Sequence, residues 1–179
     1  MWYSWEITLI LLMTLEIAHQ TAEWLKESLE KPNRIHLMGN HDLSYKDTRF
    51  ACSGFSESKL MALKQAKVDL SKLQHYCWVE DWLCTHAGLS NDFYEEYAMD
   101  YSVNEFLQIF SQDEKLKERL YDCSPFRGGL DRFSGIVWCD YYEFKDIPNI
   151  KQIFGHTRGP LRQTDYHICL DTAPQLCNL

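Results

Sequence analysis

Three apolar runs in this chain end in the same way. Ile35 to Met38 leads into Gly39-Asn40-His41-Asp42, Val79 to Thr85 into His86-Ala87-Gly88, and Ile150 to Phe154 into Gly155-His156-Thr157. Ile35 and Leu37 alternate with their neighbours, as in a short buried strand that ends at Gly39. A glycine there lets the backbone turn sharply and gathers the polar side chains that follow at the strand tip. Strand ends carrying polar groups are where an open α/β sheet builds its sites. Asn40 offers a carbonyl oxygen, His41 and its two counterparts an imidazole, Asp42 a carboxylate. Such groups bind a divalent metal or move a proton beside one. Taken alone, Gly39 to Asp42 also reads as a loop closed by an Asx-turn.

With 179 residues, the chain is long enough to bury one sizeable core. Its hydrophobic fraction of 45% and aromatic fraction of 14% suit a folded globular protein. A net charge of −8 argues against a nucleic-acid backbone or an anionic membrane as partner. It also repels an anionic substrate unless a metal ion reverses the local field. The seven cysteines show neither a C-x-x-C pair nor a zinc-finger spacing. Free buried thiols in a reducing compartment are the simplest reading, so the protein is expected in the cytoplasm.

The chain begins with an atypical apolar leader, residues 1–14. Ile7 to Leu15 is broken by Thr8 and Thr14 and falls short of the ~20 residues of a membrane span. The first lysine is Lys26, so the positive start of a signal peptide is missing as well. Leu15, Ala18, Ala22, Leu25 and Leu29 then form one face of a helix that Pro32 and Asn33 stop. A second helix starts near Ser56 and carries Leu60, Leu63 and Leu70. Leu73 to Thr85 reads as two strand pieces around Glu80-Asp81. Ser102-Val103-Asn104-Glu105 fits a capping box ahead of Phe106, Phe110, Leu116 and Leu120. Gly135 to Trp138 and Tyr166 to Leu170 read as further strands. The loop from Pro125 to Arg132 holds Arg127 and Arg132. Either arginine could fork onto a phosphate, or simply pair with local acids.

Gly39-Asn40-His41-Asp42, Thr85-His86-Ala87-Gly88-Leu89 and Gly155-His156-Thr157 resemble, in order, three motifs of the calcineurin-like metallophosphoesterases, on their Ser/Thr-phosphatase-like side. The resemblance runs from about Leu15 to the C-terminus and implies residues 15–179 as an N-terminally truncated phosphoesterase domain. The implied fold is α/β, a partial four-layer α/β/β/α sandwich. The implied reaction is phosphate monoester hydrolysis by metal-activated water. Asn40, His86 and His156 match the side chains that hold one divalent metal (Mn, Fe or Zn), of two in the full family site. His41 matches the proton donor to the leaving oxygen, with Asp42 orienting its neighbours. Arg127 and Arg132 would face a phosphorylated small molecule or phosphoprotein. No nucleic-acid or membrane partner is implied.

The family also opens with D-x-H and G-D-x-x-D strands that supply the other metal and the bridging carboxylate. Met1 to Thr14 contains no Asp and no His. The lone D-x-H, Asp165-Tyr166-His167, enters a strand instead of leaving one. Activity as an enzyme is therefore left open. The alternatives are a catalytically impaired fragment that binds phosphate or a partner, and a structural α/β protein. A sheet missing its first strands would expose an apolar edge that invites self-association. Asp42, Asp131, Asp140 and Asp171 are the acids that could rebuild the bridging position.

Overall fold

The computed structural model describes residues 15–50, 52–98 and 100–172, in two compact units, residues 1–74 and 75–179. The apolar leader at residues 1–14 lies outside the described residues.

The first unit is helical. Helix α1 spans Leu15–Leu29, α2 Asn40–Lys46 and α3 Glu57–Ala66. Ala18, Ala22 and Leu25 bury the expected face of α1 against Ala62, Leu63 and Ala66 of α3, with Tyr45 closing the cluster. Small alanines on both helices let the backbones approach, while Trp24, Leu29 and Leu60 pack around the rim. Ser56 caps α3 by accepting the Lys59 N–H, and Leu70 falls in a 3-10 turn beyond the helix.

The strand expected from Ile35 is reduced to a single parallel bridge, Leu37 to Gln74. Two backbone bonds hold it, Met38 N–H to the Gln74 carbonyl at 2.8 Å and Gln74 N–H to the His36 carbonyl at 2.9 Å. The inward parity is also the reverse of that expected. His36 and Met38 are buried and Ile35 is exposed, because His36 finds a buried partner in Ser28 at 2.9 Å. A satisfied imidazole can therefore replace an aliphatic side chain on the inner face.

The second unit holds a five-stranded mixed sheet: β1 Tyr76–Val79, β2 Trp82–Thr85, β3 Lys151–Phe154, β4 Arg162–Gln163 and β5 His167–Cys169. The strand order is β1-β2-β3-β5-β4. β1 and β2 form a hairpin around Glu80-Asp81, with Glu80 at φ 55°. β2, β3 and β5 run parallel, so their carboxyl ends lie on one edge. The sheet's own edges are β4 and β1, and all four residues of β1 are half-buried.

Helices α4 (Asn91–Tyr97), α5 (Val103–Gln112) and α6 (Glu114–Lys117) join β2 to the later strands. Ser102 and Glu105 close the expected capping box at α5. Phe93 and Phe106 are fully buried and meet edge-to-face, with ring centroids 6.3 Å apart. Gly135 to Trp138 is a turn, not the expected strand. Ile136 and Val137 bury completely inside it, and the Cys139 N–H closes onto the Gly135 carbonyl at 3.0 Å. An apolar run of this length reads alike as strand or buried turn.

The architecture is thus mixed α/β. Of the two sheets of a four-layer sandwich, one is found among the described residues. No helix among them is long and apolar enough to cross a membrane.

Candidate active site

The parallel pairing of β2 and β3 places the residues that follow each strand side by side. Gly155 N–H continues the ladder by donating to the His86 carbonyl at 2.8 Å. The side chains then meet, His86 Nε2 lying 3.2 Å from His156 Nδ1. One ring must donate and the other accept, so the contact holds a single proton between two nitrogens. His86 is buried and His156 half-buried. His156 adopts φ 72°, the left-handed region, which costs a non-glycine residue about 1–2 kcal/mol. Strain of this kind persists where the surroundings demand it, often at functional sites. The Trp138 ring stands edge-on to His156, with centroids 5.9 Å apart.

Beside this pair, Arg127 leaves a 3-10 turn (Pro125–Arg127) that Ser124 caps and Gly128 ends at φ 84°. Its guanidinium pairs with Asp140 at 2.8 Å and donates to the Thr157 hydroxyl at 2.8 Å. Thr157 also accepts the Tyr141 N–H at 2.8 Å. The result is a cation tied to the residue that follows His156. Arg132 points to solvent, pairs with Glu96 at 2.9 Å and lies over the Phe133 ring. Asp131 accepts the Cys123 N–H at 2.9 Å and so shapes the loop.

Asn40, His41 and Asp42 all belong to the first unit, on the opening turn of α2. Gly39 before them is extended at φ −97°, so the turn there needs no special glycine geometry. The Asp42 carboxylate accepts the Gly39 N–H at 3.0 Å, which fixes the start of the helix. Burial raises the Asp42 pKa to about 6 against that hydrogen bond. Burial pushes His41 below the ordinary imidazole value, with the Ser53 backbone bond opposing and Lys59 reinforcing. The Cys52 thiol sits 3.3 Å from His41 Nδ1 and also reaches Ser44 Oγ at 3.4 Å. No periodic or motif signal marks Cys52 in the sequence. Its place on the imidazole follows from the α2–α3 connection alone.

No family model matches the chain, and a search of curated proteins finds no match. Among solved structures, the chain is similar to the cold-active protein-tyrosine phosphatase of a psychrophile, Shewanella sp. That match has 17% identity, covers 77% of this chain and 49% of the other, and has a TM-score of 0.45. An isoleucine-to-methionine mutant of a cold-active protein tyrosine phosphatase matches at 15% identity, over 87% of this chain and 55% of the other, with a TM-score of 0.50. The chain spans about half the length of these structures. At 0.50, the likeness is one of fold.

These findings correct three expectations. The resemblance to calcineurin-like metallophosphoesterases is not carried by any family model, and the solved structure that shares the fold is described as a protein tyrosine phosphatase. Hydrolysis by metal-activated water, which rested on that resemblance, is withdrawn with it. A divalent metal on Asn40, His86 and His156 is also withdrawn. Among the described residues, no group of three or more His, Cys, Asp or Glu side chains is placed to hold a metal ion. Asp140, one of the acids that could have rebuilt the bridging position, is engaged by Arg127.

Proposed function

We propose that the chain carries part of a phosphatase, a hydrolase for phosphorylated proteins, with phosphotyrosine as the first substrate to test. The single observation that carries this reading is the contact of His86 with His156 at 3.2 Å, at the carboxyl ends of neighbouring parallel strands. The likeness in fold to a structure described as a protein tyrosine phosphatase supports it.

Phosphoryl transfer asks a protein mainly for positioning and for charge aimed at the phosphoryl oxygens. It also needs a proton for the leaving oxygen. Two imidazoles sharing one proton can deliver it and recover it from water, because release by one ring is matched by the hydrogen bond from the other. Arg127, which donates to the hydroxyl of Thr157, the residue after His156, is the cation that would act on the phosphate, with Arg132 the lesser candidate on its solvent-facing perch. In the first unit, taken by itself, His41 and Asp42 are proposed as proton-handling groups, with Asn40 as their polar neighbour. A reducing compartment such as the cytoplasm fits the free thiols.

The test is phosphate release by the full chain from an aryl phosphate and from a phosphotyrosyl peptide. His86→Ala is expected to lower kcat by about 10²–10⁴-fold, the usual share of a positioned acid–base group. Circular dichroism checks that the variant keeps its fold. A folded wild-type chain that releases no phosphate, or a His86→Ala variant with undiminished turnover, would overturn the reading.

A further inference from the structure

Cys77 of β1 and Cys84 of β2 are register partners in the hairpin. Directly opposed residues of an antiparallel pair hold their Cα atoms about 4.5–5.5 Å apart. That lies within the range of about 4.4–6.8 Å that a disulfide spans. Cross-strand partners also project from the same face of a sheet. Both cysteines are free thiols, Cys84 wholly buried and Cys77 half-buried. No other two cysteines among the described residues are register partners on paired strands.

We propose that Cys77 and Cys84 form a dithiol that a hydroperoxide oxidises to a reversible cross-strand disulfide. The two sulfurs have different tasks. The hydrogen bond from Cys84 holds the Cys77 thiol below its ordinary value, with burial opposing. The same contact, together with burial, pushes Cys84 well above the ordinary value. Cys77 is thus the better thiolate and the better exposed. Its sulfur attacks the peroxide, the O–O bond breaks, and Cys77 sulfenic acid and one water form. The Cys84 sulfur then attacks the Cys77 sulfur; the S–S bond forms as the S–O bond breaks. The departing hydroxide takes the Cys84 proton as a second water. In sum, two thiols and one hydrogen peroxide give one disulfide and two waters. Cys84 stands on β2, the strand that delivers His86 directly after Thr85. The proposal is independent of the phosphatase reading.

The test treats the full chain with a small excess of hydrogen peroxide, blocks the remaining thiols, and cleaves after Glu80, which separates the two cysteines. The expected result is a pair of fragments that stay joined, lighter by two hydrogens than their reduced sum, and part on reduction with dithiothreitol. Cys84→Ser is expected to leave Cys77 as a sulfenic acid that a dimedone reagent traps. Fragments that part without reduction would overturn the proposal, whether peroxide had oxidised Cys52 or Cys123 instead or had oxidised nothing. So would a Cys77 joined to any other cysteine. The wild-type map decides the matter even if the serine variant fails to fold.

Discussion

Replacing Gln152 with alanine is expected to destabilise the second unit by about 2–5 kcal/mol. Gln152 is fully buried on β3, and its carboxamide acts as a short piece of strand. It accepts the Leu89 N–H at 2.9 Å and donates to the Leu89 carbonyl at 2.9 Å. Leu89, also fully buried, follows the His86-Ala87-Gly88 turn. Truncation strands a buried donor and a buried acceptor, each at about 1–3 kcal/mol. Gln152→Leu keeps the volume and loses both bonds, so it separates hydrogen bonding from packing. Urea titration should show a lower midpoint with an unchanged slope for both variants. A midpoint within error of wild type for Gln152→Leu would mean that the Leu89 groups find other partners.

The second large effect is expected at Gly129. A Cβ there would stand 1.8 Å from the Cys123 carbonyl oxygen, a backbone atom that cannot rotate away. Cys123 is itself fixed by Asp131, whose N–H donates to the same carbonyl at 3.1 Å. Gly129→Ala is therefore expected to cost about 1–3 kcal/mol through overpacking and to displace the loop that carries Arg127. Turnover should fall with it if Arg127 faces the phosphate. Gly128→Ala makes a clean comparison. Its Cβ would meet nothing within 4 Å, so only the left-handed backbone at φ 84° opposes it. Thermal melting of the two variants should rank Gly129→Ala the more damaged. Equal melting temperatures would show that backbone strain, and not the collision, limits this loop.

The fold was legible where one local signal decided the structure. The three-and-four spacing of Ala18, Ala22 and Leu25 fixed α1, Glu80-Asp81 fixed the hairpin, and Ser102 with Glu105 fixed the start of α5. The meeting of His86 and His156 was legible for a related reason. Each follows a strand, and parallel neighbours bring such ends together.

Features settled by partners far along the chain were not legible. Nothing local shows that His36 will turn inward onto Ser28, or that Ile136 and Val137 will bury in a turn. Arg127 was open between phosphate and acid, and its pairing with Asp140 depends on how two loops pack. Cys52 on His41 gave no signal at all. The three motifs constrained strand tips well, yet they are short. The family they resembled finds no support over the rest of the chain.

The measurement that bears most directly on the paired imidazoles is a double-mutant cycle. His86→Ala and His156→Ala, singly and together, are compared for kcat on a phosphotyrosyl peptide. Rings that share one proton act as a unit, so the double variant should be no slower than the slower single variant. Losses that multiply, each variant acting as if the other histidine were irrelevant, would contradict the pair as the working element of this site.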